Sequence, residues 1–380
     1  MTNLSQRVDA ALQSALDQKR IVGAVITVMI DGEVAHRKSY GLADREAGIP
    51  MKDNKIFRLA SVSKPIVTAA AMRMIELGQL SLDAAVTDWL PDFKPQIPGG
   101  GGAPTITIRH LLTHTAGLSY DFMQPDDGPY HRHRVSSGAD QDGLSMEENL
   151  KRIMAAGLAF PPGAMWVYSV AIDVLGAVMQ KADGATLEQV VEKHVTGPMK
   201  MTDTSFHVVD KDRLVQPYSN APAGPIRIGE VFKQPFLPGL APISFTLSRA
   251  FDTKGFQGGG AGMIGGPDDV ARFLDTIRAG GGHIISRESA QQMLSNQIGP
   301  LRVLFDPTGS TGFGFGGAVM LDPEKAASPL SPGSFYWGGV WGHSWFIDPA
   351  RRMTIVNLTN TTLEGMSGQL PGDVVRAAVG

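Results

Sequence analysis

The sequence predicts an α+β protein: an antiparallel sheet flanked by helices, completed by the two ends of the chain and carrying an inserted, mainly helical domain. Three observations predict it. Two strand-like runs joined by Asp31-Gly32 lie near the N-terminus, further strand-like runs crowd between Gly312 and Leu358, and helical or loop-like sequence fills the interval. The expected divisions are residues 1–75 for the first part of the α/β domain, 76–159 for the first part of the helical domain and 160–213 for the second α/β part. Residues 214–298 are the second, loop-rich helical part, and 299–380 the C-terminal strands and helix.

Taken in order, Leu4, Val8, Ala11, Leu12, Ala15 and Leu16 recur at helical spacing. Val22 to Ile30 and Glu33 to Tyr40 flank Asp-Gly, the strongest short hairpin signal. Ile66, Val67, Ala69, Ala70, Met72, Met74, Ile75 and Leu77 form an apolar run ending at Gly78, which reads as a buried helix with a glycine stop. A flexible stretch spans Pro95 to Pro104, and Leu118 to Gly143 is a long polar segment without periodicity. Loops of that length tend to be functional, so it is read as an active-site rim. A helix is expected from Ser169, as N-cap, to Gly184. Pro217 to Pro242 reads as irregular, and Pro267-Asp268-Asp269 opens another helix. Gly312 to Met320, Ser334 to Trp341, Ser344 to Ile347 and Met353 to Leu358 read as strands, and Pro371 to Val379 as a closing helix.

The whole-chain composition bounds the function. The 380 residues are 43% apolar and 19% charged, which is ordinary for a folded protein with a real core. A net charge of −3 argues against nucleic acid or an anionic membrane as partner and favours a small neutral one. The absence of cysteine excludes disulfides, thiolate nucleophiles and thiolate metal sites. The polar N-terminus lacks the apolar core of a signal peptide, and no stretch approaches the about 18 apolar residues of a membrane span. The expectation is a soluble, cytoplasmic protein whose oligomeric state the sequence leaves open.

Ser61-Val62-Ser63-Lys64 concentrates the chemistry. At i and i+3 on a helix start, the lysine amine reaches the serine oxygen. A serine hydroxyl needs an adjacent base to be a nucleophile, and lysine serves only where burial or neighbouring charge shifts it. Ser61 is the only serine with lysine three residues on. The spacing alone is equally satisfied by Ser61 as an N-cap and Lys64 as a solvated first-turn residue.

Together with Tyr168-Ser169-Val170 and Trp337-Gly338-Gly339, this tetrad resembles the three-motif signature of family VIII carboxylesterases, the esterase branch of the class C β-lactamase and penicillin-binding-protein superfamily. Leu111 to Leu118 (LLTHTAGL) and Gly312 to Gly316 (GFGFG) match as well, and the resemblance covers essentially the full chain. It implies a β-lactamase/transpeptidase-like fold. It also implies Ser61 as acyl-accepting nucleophile, proton transfer shared by Lys64 and Tyr168, and an oxyanion hole from the backbone N–H groups of Ser61 and Val340. Which of Lys64 and Tyr168 is the base stays open. Where penicillin-recognising members carry Asn and Lys-Thr-Gly, this chain has Val170 and Trp337. Losing that cation and that amide removes partners for a substrate carboxylate and side chain, and shifts the expectation from a β-lactam to a neutral ester. Trp337, Gly338, Gly339, Val170 and His343 are the expected substrate-binding residues, although Trp337 also reads as an aromatic on a half-buried strand.

The function expected is therefore hydrolysis of short-chain carboxylic esters through an acyl-Ser61 intermediate, with no metal or organic cofactor. The alternatives are an amidase, D-aminopeptidase, weak β-lactamase or acyltransferase of the same fold, or a catalytically silent sensor. Other motifs lead elsewhere and are set aside. Gly260 to Gly265 matches G-x-G-x-x-G but follows no strand, so it is read as a tight turn. His131 and His133 lack a fitting third ligand. His110 and His114 are read as packed or capping residues, and Met72 and Met74 as core. No Gly-x-Ser-x-Gly elbow is present.

Overall fold

A computed structural model describes residues 2–100 and 102–380. Its centre is an eight-stranded, wholly antiparallel sheet. Starting from one edge, the strands run Thr311–Phe313, Ala318–Met320, Phe335–Gly339, His343–Asp348, Met353–Thr359, Gly23–Ile30, Glu33–Asp44 and Ile49–Pro50. The two ends of the chain meet where Gly23–Ile30 pairs with Met353–Thr359. The Asp31-Gly32 hairpin forms as expected, with φ of 56° and 88° at its two turn residues, the left-handed pair that a two-residue hairpin turn requires.

Strand Gly23–Ile30 is buried along nearly its whole length because both faces of the sheet are covered. On one face the terminal helices Thr2–Asp17 and Leu370–Val379 pack with Val8, Leu12, Val374 and Ala378 against Ile26, Val28 and Ile355. On the other lie Ser63–Glu76 and Pro267–Arg278, joined in one core to the helices Ile108–Leu112, Met146–Ala156 and Ala171–Asp183. Met72 and Met74 are buried in that core.

Two expectations need correction. Gly312 to Met320 is not one strand but two short antiparallel ones, since Gly314 and Gly316, the latter at φ 88°, turn the chain back on itself. Ser169 is not the cap of its helix. Val170 is the N-cap of Ala171–Asp183, while the Ser169 hydroxyl meets His114 Nδ1 at 3.1 Å. The C-terminal end does fall at Gly184, in the left-handed conformation. The irregular stretch after Pro217 holds three short strands, Tyr218–Ser219, Ile226–Arg227 and Val231–Gln234. Among the described residues no helix is long and apolar enough to cross a membrane.

Candidate active site

Ser61 stands in a single turn, Ala60–Val62, between the two-residue strand Phe57–Arg58 and helix Ser63–Glu76. The turn is clamped. Leu59 N–H donates to Met263 O at 2.9 Å, Ser63 Oγ donates to Ala60 O at 2.6 Å, and Met263 N–H donates to Ser63 Oγ at 3.1 Å. Ala60 is held at φ 46°, a conformation a residue with a Cβ adopts only under such constraint, directly before the serine.

Lys64 is fully buried, and its ammonium donates three bonds: to Ser61 Oγ at 3.1 Å, to the Tyr120 hydroxyl at 3.1 Å and to Gly260 O at 2.7 Å. The solvated alternative for this residue is thereby removed. The Tyr168 hydroxyl donates to Ser61 Oγ at 2.5 Å, and Trp337 Nε1 donates to the same Tyr168 hydroxyl at 3.2 Å. The Lys64 nitrogen lies 4.6 Å from the centre of the Tyr168 ring, within cation–π range.

The surroundings hold this arrangement. The segment around Tyr168 lies along residues 114–119, with Val167 N–H on His114 O and Val170 N–H on Ser119 O. The His114 ring is buried at 5.0 Å from the Tyr168 ring, and burial beside the Lys64 charge holds it well below the usual imidazole range, so it packs as a neutral ring. The G-x-G-x-x-G segment forms a tight loop whose Gly260 presents its carbonyl to Lys64. Gly260 N–H donates to Asp173 Oδ1 at 3.1 Å. A Cβ on Gly260 would lie 2.7 Å from Asp173 Oδ2 and 2.8 Å from the Tyr120 hydroxyl, so only glycine fits. Burial raises Asp173 to about 6 against the opposing pull of Lys64.

Ser61 opens into a cavity of about 490 Å³ whose lining includes Tyr120, Phe122, Tyr168, Trp337, Gly338 and Val340 and contains no charged side chain. Neither the Ser61 nor the Val340 N–H donates to a backbone carbonyl outside the regular elements, among the described residues. Strand Phe335–Gly339 is paired with Ala318–Met320 only at Phe335 and Tyr336, which leaves the Trp337 to Val340 side open to the cavity.

Three expected substrate-binding residues are placed elsewhere. His343 is fully buried, with Nε2 at 2.8 Å from Arg58 O, and burial lowers it to about 4. It ties its strand to Phe57–Arg58 behind the site. Val170 is buried at a helix start, and Gly339 is not part of the cavity lining, a Cβ there running into Leu59 O and Val62. Conversely, the sequence singles out neither Tyr120 nor Asp173, and Gly260 only as part of a G-x-G-x-x-G tight turn. Tyr120 lies inside the segment read as the rim, which was the one available signal.

The Beta-lactamase family model matches residues 8–379. Esterase EstB of Burkholderia gladioli is 42% identical over 369 residues, covering 97% of this chain and 93% of that protein. The structure of EstCE1, a hydrolase with promiscuous acyltransferase activity, superimposes with a TM-score of 0.94 at 42% identity, covering 100% of this chain and 99% of that one. Unliganded simvastatin synthase from Aspergillus terreus shares the fold, with a TM-score of 0.75 at 21% identity over 99% of this chain and 98% of that one. A match running almost from end to end, on a fold that brings Ser61, Lys64 and Tyr168 together, means that the chain belongs to the beta-lactamase family.

Proposed function

We propose that this protein is a serine esterase acting on small neutral carboxylic esters. One observation carries the reading: Ser61 Oγ, bonded by both Lys64 and Tyr168, lies at an apolar cavity without a charged side chain. In this mechanism the Tyr168–Lys64 pair enters the cycle one proton short of phenol plus ammonium, and Ser61 Oγ attacks the ester carbonyl as its proton passes to that pair. The carbonyl oxygen, now negative, is received by the Ser61 and Val340 N–H groups, each such donor lowering the barrier by roughly 3 kcal/mol. The C–O bond to the alcohol then breaks, and the alcohol leaves with the proton that the pair returns. Water repeats the sequence in reverse roles, releasing the acid and free Ser61.

The absence of a cation at Trp337, which lines the cavity, supports esters over β-lactams. EstB, named an esterase, shares 42% identity over nearly the whole chain, which supports the same choice. Transfer of the acyl group to an alcohol instead of water is a second reading, favoured by the promiscuous acyltransferase activity of EstCE1.

The test is steady-state hydrolysis of p-nitrophenyl esters from acetate to decanoate, beside a chromogenic cephalosporin and a D-alanyl amide. Fast ester turnover that vanishes in Ser61→Ala, with folding retained, is the expected result. Preferred cleavage of the lactam or amide, or activity surviving in Ser61→Ala, overturns it. Adding excess methanol and following methyl ester formation separates transfer from hydrolysis.

A further inference from the structure

Six aromatic side chains close a ring of contacts at the Ser61 cavity. Centroid to centroid, Tyr120 meets Phe122 at 4.7 Å, Phe122 meets Phe236 at 6.2 Å, Phe236 meets Phe305 at 6.1 Å, and Phe305 meets Trp337 at 6.2 Å. Trp337 meets Tyr168 at 5.3 Å, and Tyr168 returns to Tyr120 at 5.1 Å. All six line the cavity. They come from five separate stretches of chain, so the ring is a product of tertiary structure and has no sequence motif.

Phe236 is the member that closes it. It sits on the loop between strands Val231–Gln234 and Ile243–Thr246, whose four-residue pairing fixes both loop ends. Ala241 N–H, on the same loop, donates to Gln124 O at 2.9 Å and anchors it beside Phe122. Phe236 meets Phe122 at 81° and Phe305 at 64°, both edge-to-face, and it is the only one of the six that contacts both of these rings. Aromatic rings in this geometry attract one another through the positive ring edge and negative ring face, beyond what their buried area supplies. A substrate ring entering the collar meets such edges and faces on several sides. A saturated ring of the same bulk buries similar area but has no quadrupole to match them.

We infer that Phe236 is a specificity-determining residue, and that the collar it closes selects esters bearing an aromatic ring over esters bearing an equally bulky saturated ring. This rests on the esterase reading. Catalysis by Ser61 itself does not require it.

The experiment compares matched esters of similar intrinsic reactivity: benzyl against cyclohexylmethyl acetate for the alcohol side, and methyl phenylacetate against methyl cyclohexylacetate for the acyl side. Ethyl acetate serves as a substrate without a ring. The expected result is a kcat/KM ratio of about tenfold for the aromatic member in at least one pair. That ratio falls at least threefold in Phe236→Leu, which keeps apolar bulk but loses the ring, and in Phe236→Ala, with thermal unfolding confirming that each variant is folded. Ratios near one in both pairs, or a ratio unmoved in Phe236→Leu, overturn the inference while ethyl acetate hydrolysis leaves the esterase reading standing. A protein that hydrolyses none of these esters removes both.

Discussion

Trp337 does more at the site than fill space. Its indole N–H donates to the Tyr168 hydroxyl at 3.2 Å, so the residue standing where penicillin-recognising relatives carry lysine is turned toward the proton-transfer pair instead of toward a substrate carboxylate. A donor on the phenol oxygen stabilises it most when that oxygen carries negative charge, and a hydrogen bond to a charged group contributes about 1.5–3 kcal/mol. Trp337→Phe keeps the aromatic contacts and loses the donor. It should therefore lower kcat/KM on a p-nitrophenyl ester by about ten- to a hundredfold, with little change in thermal stability. Activity within twofold of the parent would assign Trp337 to packing alone. The Ser61–Lys64 spacing made that pair a candidate in the sequence, and Tyr168 joined it only through the resemblance to the family's three motifs. The sequence could not make the roles of Asp173 or Gly260 legible. Asp173 acts only because a glycine loop distant in sequence folds over it, and Gly260 matters through its carbonyl, which carries no residue-specific mark.

At the scale of elements, the site depends on how closely strand Phe335–Gly339 lies against the turn carrying Ser61. A Cβ on Gly339 would overlap Leu59 O and stand 3.2 Å from both Val62 Cγ2 and the His343 ring. Gly339 thus adds nothing to the cavity wall but sets the separation between the Ser61 turn and the Val340 amide. Gly339→Ala should force these elements apart, and since oxyanion donors act only at about 3 Å, lower kcat by roughly a hundredfold or more. Measuring kcat beside the melting temperature tests this, and an alanine variant with unchanged kcat would show that the spacing is not needed. Elements with a local cause were readable in advance: the Asp31-Gly32 hairpin, the helix opened by Pro267, the stop at Gly184. The misreadings have tertiary causes. Ser169 fits the cap pattern, but its hydroxyl is claimed by His114, and Gly312 to Met320 looks continuous until the glycines fold it onto itself.

At the scale of the whole molecule, the sheet stitched from both chain ends lets Arg20 bond Glu364 at 2.6 Å and Asp373 at 2.8 Å, while away from that seam the titratable side chains Asp121 and His343 are buried. Asp121, next to Tyr120, is raised to about 7 from an ordinary 3.8, chiefly by burial and then by the neighbouring Asp140 charge. The native carboxyl thus keeps its proton across a range of pH in which the unfolded one has lost it. The native state binds more protons there, and Asp121 costs stability progressively as pH rises from 3.8 through 7. His343, lowered to about 4, acts oppositely: its contribution is lost as pH falls below 6.5. The two are separable by substitution, because Asp121→Asn mimics the protonated carboxyl at every pH and leaves His343 untouched. Urea unfolding at pH 8 and pH 5 should show the variant gaining on the parent at the higher pH by on the order of 2 kcal/mol more than at the lower. An equal gain at both values, or a larger one at pH 5, would mean that Asp121 is ionised in the native protein at ordinary acidity and that its surroundings compensate its charge.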